Sequence, residues 1–340
     1  MANEKIGVFD LHCDTLTAFL NRPDYDGILE QLNHPGLHSK GKERLVCAIE
    51  EQDSLDDRQL QFSLSHIPEQ TFWAQCCAIF IPDGLDPEST VLYYDLHRQN
   101  FFRQMQKFSD CMICCSTGEE ICRAWKQGRT AAVLTVENGS VLAGQLGRVE
   151  QLAADGVRMI TLTWNGANEL GSGWDTEQGL TNFGKEAVRE MENCGVVVDV
   201  SHLNDRGFFQ LLDVVQKPFA ASHSNARTVC GHRRNLTREQ IVLMAERRCL
   251  IGLNFGQTFL KDDSGSAGLE DLWRHVEYFL ELGAENSLVL GSDADGTNTL
   301  IDLNRPYKVR KLYDFFISHG VPEAVAEKIM WKNALNFWSM

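Results

Sequence analysis

Nowhere in the 340 residues do apolar side chains run unbroken for the ~20 positions that a bilayer-crossing helix needs. Excess positive charge is missing too. Asp and Glu number 47 against 32 Lys and Arg, and the net charge of -15 disfavours a nucleic acid or an anionic membrane as partner. Met1-Ala2-Asn3-Glu4-Lys5 leads at once into an apolar, strand-like segment, without the long apolar core of a signal peptide. The C-terminal residues lack the hydrophobic tail of a lipid-anchor signal. A soluble, cytoplasmic protein is the expectation. A disulfide framework is also wanting: eleven Cys is an odd number in a chain too long to need staples, so reduced thiols are expected. The CxxC within Cys111-Met-Ile-Cys114-Cys115 has no second ligand pair at zinc-ribbon spacing and reads as a buried apolar strand. Internal repeats and low-complexity segments do not occur.

What the chain does have is an ordinary globular balance, 43% hydrophobic and 23% charged, which argues against disorder. Its length suits two domains of ~150 residues or one α/β barrel of ~250 with insertions. Eight short apolar runs decide between them: Ile6 to Leu11, Ala74 to Ile81, Ala131 to Val136, Met159 to Thr163, Val196 to Val200, Pro218 to Ala221, Leu250 to Phe255 and Leu288 to Leu290. Continuous runs of this kind are strands of a parallel sheet buried on both faces. Amphipathic segments lie between them. Thr117-Gly-Glu-Glu120 reads as a capping box for a helix that Gly128 closes. Phe183, Ala187, Val188 and Met191 keep helical spacing before Gly195, as do Leu269, Leu272, Trp273, Val276, Phe279 and Leu280 before Gly283. Eight strands alternating with helices predict a single (β/α)8 barrel over residues 1–340. The first crossover, residues 15 to 73, is too long for one helix and predicts an insertion over the barrel mouth. Residues 322 to 336 predict a closing helix with Pro322 at its first position.

The polar residues on these runs carry the chemistry. His12 and Asp14 end the first run, Glu137 follows the third, His202 the fifth, His223 the sixth and Asp293 the eighth. Alternation along the first strand places His12 and Asp14 on one face, with Asp10 on the same face to orient His12. Each residue alone has an ordinary explanation: a capped strand end, a solvated carboxylate, a hydrogen-bonded histidine, an acidic turn. Together they differ, because the carboxyl ends of barrel strands converge on one mouth where catalytic residues sit. Imidazoles and carboxylates suit Zn²⁺ or a similar divalent ion. Three His and two carboxylates exceed the needs of one tetrahedral ion and suit two ions sharing a bridging carboxylate.

Six stretches, Asp10-Leu-His-Cys-Asp14, Val136-Glu-Asn-Gly139, Asp199-Val-Ser-His202, Ser222-His-Ser-Asn-Ala-Arg227, Arg233-Arg-Asn235 and Gly291-Ser-Asp-Ala-Asp-Gly296, occur in an order that resembles the renal (membrane) dipeptidase family of zinc peptidases. Asn333-Ala-Leu335 is a weaker echo. The resemblance implies an amidohydrolase-type barrel with two zinc ions, one held by His12, Asp14 and Glu137, the other by Glu137, His202 and His223. It implies that Asp293 manages the proton of the attacking water, that Arg234 grips the substrate's terminal carboxylate, and that the protein is a homodimer. A guanidinium fork suits that grip. One departure stands out: where animal members carry a His after Leu-Thr on the fourth strand, this chain reads Trp164-Asn165. An indole N–H donates but is neither base nor cation, so contact with the substrate's carbonyl falls to Trp164, Asn165 or the metals.

The expected reaction is hydrolysis of dipeptides, L,D-dipeptides among them, by a hydroxide held between two metals, with Asp293 as base and then acid. Asp14 or a neighbouring carboxylate would meet the free amine. Two other readings stay open at this point: a binuclear hydrolase acting on lactones, β-lactams or phosphoesters, and a non-catalytic metal-dependent binding protein.

Overall fold

Among the described residues nine parallel strands order the chain: β1 (Ile6–Cys13), β2 (Thr71–Phe80), β3 (Met112–Cys114), β4 (Thr130–Glu137), β5 (Met159–Thr161), β6 (Val197–Asp199), β7 (Ala220–Ala221), β8 (Leu250–Leu253) and β9 (Leu288–Leu290). They are taken from a computed structural model that describes residues 5–22, 27–52, 54–263 and 265–340. Residues 1–4, part of the segment read above for a signal peptide, lie outside the described residues. Eight strands close a ring, because β2 pairs directly with β4 and β1 with β9. The ninth, β3, is appended to the start of β4, where Ile113 meets Ala131. Thus all eight apolar runs are ring strands of a closed parallel barrel, and the CxxC segment is the additional short strand. Only Met112 and Cys115 of that segment are buried; Cys111 is exposed. All eleven cysteines are free.

Helices wrap the ring: α3 (Pro87–Lys107), α4 (Gly118–Lys126), α5 (Arg148–Ala154), α6 (Asn182–Asn193), α7 (Asp205–Leu212), α8 (Arg238–Glu246), α9 (Leu269–Glu281) and α10 (Val309–Ser318). Gly128, Gly195 and Gly283 follow α4, α6 and α9 at φ 71, 69 and 77°, the left-handed conformation that ends a helix. Thr117 caps α4 as expected, but Glu120 reaches the N–H of Ser116 at 2.6 Å, one residue before the cap. The insertion after β1 carries α1 (Ile28–Asn33) and α2 (His38–Glu51). It touches the mouth, where Asp295, just beyond β9, accepts the N–H groups of Gln61 and Phe62 and the Thr15 hydroxyl.

The closing segment differs from the expected single helix. Pro322 is extended (ψ 140°) and caps the helix rather than entering it, so α11 spans Glu323–Glu327. A π-helical turn, Lys328–Lys332, then separates it from α12 (Asn333–Phe337). Trp338, just beyond α12, packs on Phe9 at 5.2 Å and plugs the bottom of the barrel.

The barrel interior is filled by Phe9, Leu11, Cys76, Val133, Met159 and Leu250, while Val8, Cys13, Leu134, Val136 and Ile251 join the larger core under the helices. Burying each large apolar side chain is worth ~1.5–3 kcal/mol, so both layers hold the strands in register. On β4 the alternation is regular and turns Glu137 inward. On β1 it is not. The pairing with β2 shifts register between Asp10 and Cys13, a bulge-like break that re-aims the side chains after it. Asp10 therefore does not share His12's face; it accepts the His12 backbone N–H at 3.3 Å and the Ser292 N–H at 2.8 Å. Among the described residues no helix is long and apolar enough to cross a membrane.

Candidate metal centre

Five strand ends deliver the six predicted residues to one place. His12 and Asp14 come from the end of β1, Glu137 from β4, His202 from the turn after β6, His223 from just past β7 and Asp293 from past β9. None is more than 9% exposed. Potential ligand atoms fall into three overlapping triplets, each within 4.8 Å: His12, Asp14 and Glu137; Glu137, His202 and His223; and His12, His223 and Asp293. Glu137 stands between the first two. Its Oε1 lies 2.8 Å from His202 Nε2 and 3.5 Å from His223 Nε2, and its Oε2 lies 3.7 Å from His12 Nε2. The third triplet goes beyond the sequence expectation, in which Asp293 carries a proton and is not a ligand. His202 and Asp293 both take left-handed backbone (φ 68 and 60°), a conformation costly outside glycine and concentrated at functional sites.

Neighbouring side chains set the proton positions on two imidazoles. Ser222 Oγ donates to Asp199 Oδ2 at 2.5 Å, so toward His223 Nδ1, at 2.7 Å, it accepts. His223 therefore carries its proton on Nδ1. Asp199 is itself fully committed, taking Thr161 Oγ1 at 2.6 Å and the N–H groups of Ser201 and Ser222. His202 Nδ1 lies 3.0 Å from Asn165 Oδ1. Both Nε2 atoms are then bare, yet stand 3.1 Å apart in a buried site. Two lone pairs facing each other at that distance beside a carboxylate call for a cation. Asp14 Oδ1 is also buried without a hydrogen-bond partner, a cost that an ion would remove. The donor set, imidazole nitrogen and carboxylate oxygen, suits a divalent transition ion.

The electrostatics agree. Burial works against a charged His12, but Asp14 and Glu137 beside it reverse that and lift its pKa to about 10. Burial holds His202 and His223 well below the usual imidazole range, with Arg234 and His12 adding to the effect. Burial, with Asp14 nearby, pushes Glu137 up. Burial also lifts Asp293 to about 6, against the pull of His12, Asn254 and Arg234.

Beside the cluster opens a cavity of about 360 Å³, bordered by Phe80, Trp164, Asn165, Trp174, Arg234 and Phe259. Arg234 is 5% exposed; it donates to the His223 carbonyl at 3.1 Å and to Ser224 Oγ at 3.3 Å, lies over Phe259, and has an Nε without a partner. Trp164, at the position where animal members of the family carry a His, meets Phe80 edge-on at 4.9 Å and forms an apolar wall. Sequence reasoning missed Asn254, whose Nδ2 holds Asp293 Oδ2 at 2.8 Å. It stands directly after β8, on the one late strand end left without a function, so the same strand-end logic reaches it. Trp174 lies in a loop and Phe259 in a short 3-10 turn (Gln257–Phe259), neither with a periodic signal, and only the fold brings them in.

A family model described as membrane dipeptidase (peptidase family M19) matches residues 2–340. A Klebsiella pneumoniae protein described as an uncharacterized protein in the pqqA 5′ region is 30% identical over 239 residues, 66% of this chain and 88% of its own. The barrel superposes on a Rhodobacter sphaeroides metallo peptidase liganded with a phosphinate mimic of the dipeptide L-Ala-D-Ala (TM-score 0.83, 22% identity, 98% and 99% of the two chains). It also matches a structure described as dipeptidase AC (TM-score 0.82, 23% identity, 99% and 100%). At these identities the structural likeness establishes the fold.

Proposed function

The chain belongs to the membrane dipeptidase family, a family of metallopeptidases, and on that premise we propose that it is a binuclear zinc dipeptidase built as one barrel domain. The observation that carries the reading is the convergence of His12, Asp14, Glu137, His202 and His223, all buried, around a shared carboxylate. His12, Asp14 and Glu137 would hold one ion, and Glu137, His202 and His223 the other. Bound there, such ions polarise a carbonyl and lower the pKa of water toward ~7.

The remaining work belongs to the chain's own side chains. Asp293, fixed through Oδ2 by Asn254, takes the proton of the attacking water and returns it to the departing amine. Burial, which raises the Asp293 carboxyl above the usual carboxylate range, favours its holding the proton between the two halves of that exchange. Arg234 has two of its five donors committed to the protein and offers the rest to the substrate's carboxylate. Trp164 and Asn165 border the substrate's path, and the Phe80–Trp164 wall keeps water from it. Dipeptides with a D residue at the second position fall within the substrate class. The eleven free thiols support a reducing, cytoplasmic setting, and the family resemblance supports a homodimer.

The test is hydrolysis of a mixed L,L and L,D dipeptide library, with metal analysis, before and after chelation and zinc restoration. We expect about two zinc ions per chain, activity that follows the metal, and poor turnover of dipeptide amides. Turnover confined to lactones or phosphoesters would overturn the dipeptidase reading, and metal binding without turnover of any substrate would leave a binding protein.

A further inference from the structure

We propose that Asn165 is a positioning residue for His202, and that Trp174 is what makes it one. The inference rests on the dipeptidase reading of the metal centre. Asn165 Oδ1 lies 2.5 Å from Trp174 Nε1 and 3.0 Å from His202 Nδ1. An indole N–H can only donate, so the amide atom facing it is the oxygen, and the usual ambiguity of an asparagine flip is removed. The same oxygen faces His202, whose Nδ1 therefore carries the proton. Nε2 is left bare and directed at the cluster, 2.8 Å from Glu137 Oε1. A second hydrogen bond of this kind fixes ring orientation and tautomer in metal-binding histidines.

The loop between the two residues is built to bring them together. Ala167 bridges Ser172, Gly173 N–H donates to the Gly166 carbonyl at 2.7 Å, and Asp175 N–H donates to the Asn165 carbonyl at 3.2 Å. A Cβ at Gly173 would overlap the carbonyl oxygens of Trp164 and Asn165, so only glycine lets the loop return this tightly. His223 is served by a different arrangement, the Ser222–Asp199 pair. One imidazole thus leans on rigid barrel strands and a carboxylate, while the other leans on a neutral amide in a loop that also walls the substrate cavity. The ion held through His202 is the one whose retention this loop controls.

Chelator competition on the purified, zinc-loaded enzyme tests this. Asn165→Ala should release one of two ions at a chelator concentration lower by ~10- to 100-fold, with the other ion held as in the wild type. The kinetic defect should lie in kcat at limiting zinc and shrink as zinc is added. Asn165→Asp, which keeps an acceptor oxygen, should restore most of the retention. Gly173→Ala should weaken the same ion without altering any group in the hydrogen-bonded chain. Unchanged retention in Asn165→Ala with a raised KM would overturn the proposal in favour of a substrate contact, and equal losses in the Ala and Asp variants would reduce Asn165 to a packing residue. Should Asn165→Ala not fold, Trp174→Phe removes the indole N–H while keeping an aromatic ring; a weakened single ion supports the proposal, and wild-type retention overturns it. A wild-type enzyme that holds no zinc would instead refute the metallodipeptidase reading itself.

Discussion

His275 lies on α9 with no exposed surface and ties together two loops of the mouth. Its Nδ1 accepts the Ala226 N–H at 3.1 Å, close along the chain to His223, and its Nε2 donates to the Leu260 carbonyl at 3.0 Å, beside Phe259. Burial holds its pKa down, to about 4, against the upward pull of the Leu260 carbonyl and Asp271 and with a small push from Arg274. In the unfolded chain it titrates near ~6.5. Between those values the unfolded state binds the extra proton, so stability is full above about pH 6.5 and falls by ~1.4 kcal/mol per unit toward pH 4. It levels below pH 4. The whole loss is ~3 kcal/mol, and at pH 5 it is already ~2 kcal/mol. For a chain of this length that is about 3 °C in Tm. Thermal melts at pH 7.5 and pH 5.0, run on wild type and His275→Gln under saturating zinc, isolate the effect because the glutamine does not titrate. The wild type should lose about 3 °C more than the variant between the two pH values. Equal losses in the two proteins would refute the assignment of that proton to His275.

Asp293→Ala should lower kcat by ~10²–10⁴-fold while metal analysis still finds about two ions per chain; loss of an ion would instead make Asp293 a ligand, as its triplet with His12 and His223 allows. Arg234→Ala should raise KM ~10- to 150-fold, the worth of a hydrogen bond to a charged group, with a smaller change in kcat. Steady-state kinetics on a dipeptide and its amide check this, since the variant should no longer distinguish them. In Gly296→Ala the added methyl would overlap Asp14 Oδ2 and approach Asp293 Oδ1 to 2.5 Å, so metal content and turnover should both fall. Full metal occupancy in that variant would show that the two carboxylates have room to move.

How much of this was legible beforehand follows from where the information resides. A strand buried on both faces writes itself as an unbroken apolar run, and all eight ring strands could be read this way, even β7, whose regular part is only Ala220 and Ala221. Residues directly after such runs inherit the convergence of the barrel, which is why His12, Asp14, Glu137, His202, His223 and Asp293 could be grouped from sequence. Phase within a strand was less secure. The register shift after Asp10 has no signature in residue type, and it turned a supposed partner of the His12 ring into a partner of Ser292. The Asn165–Trp174 contact was invisible for a different reason. It depends on a loop closing through backbone hydrogen bonds around Gly173, and neither periodicity nor spacing encodes such a closure.

The seam of the barrel has a consequence for the metal centre. β1 and β9 share a single registered pair, Asp10 with Leu290, helped by the hydrogen bonds from Ser292 to Asp10 across 282 positions of chain. Asn333, on α12, then fastens the Leu288 and Glu285 carbonyls from below. Without β9, seven ring strands can curl into a crescent but not into a ring, and His12 and Asp14 stand on its open edge. The third triplet, which joins Asp293 to His12 and His223, therefore exists only once that seam has closed.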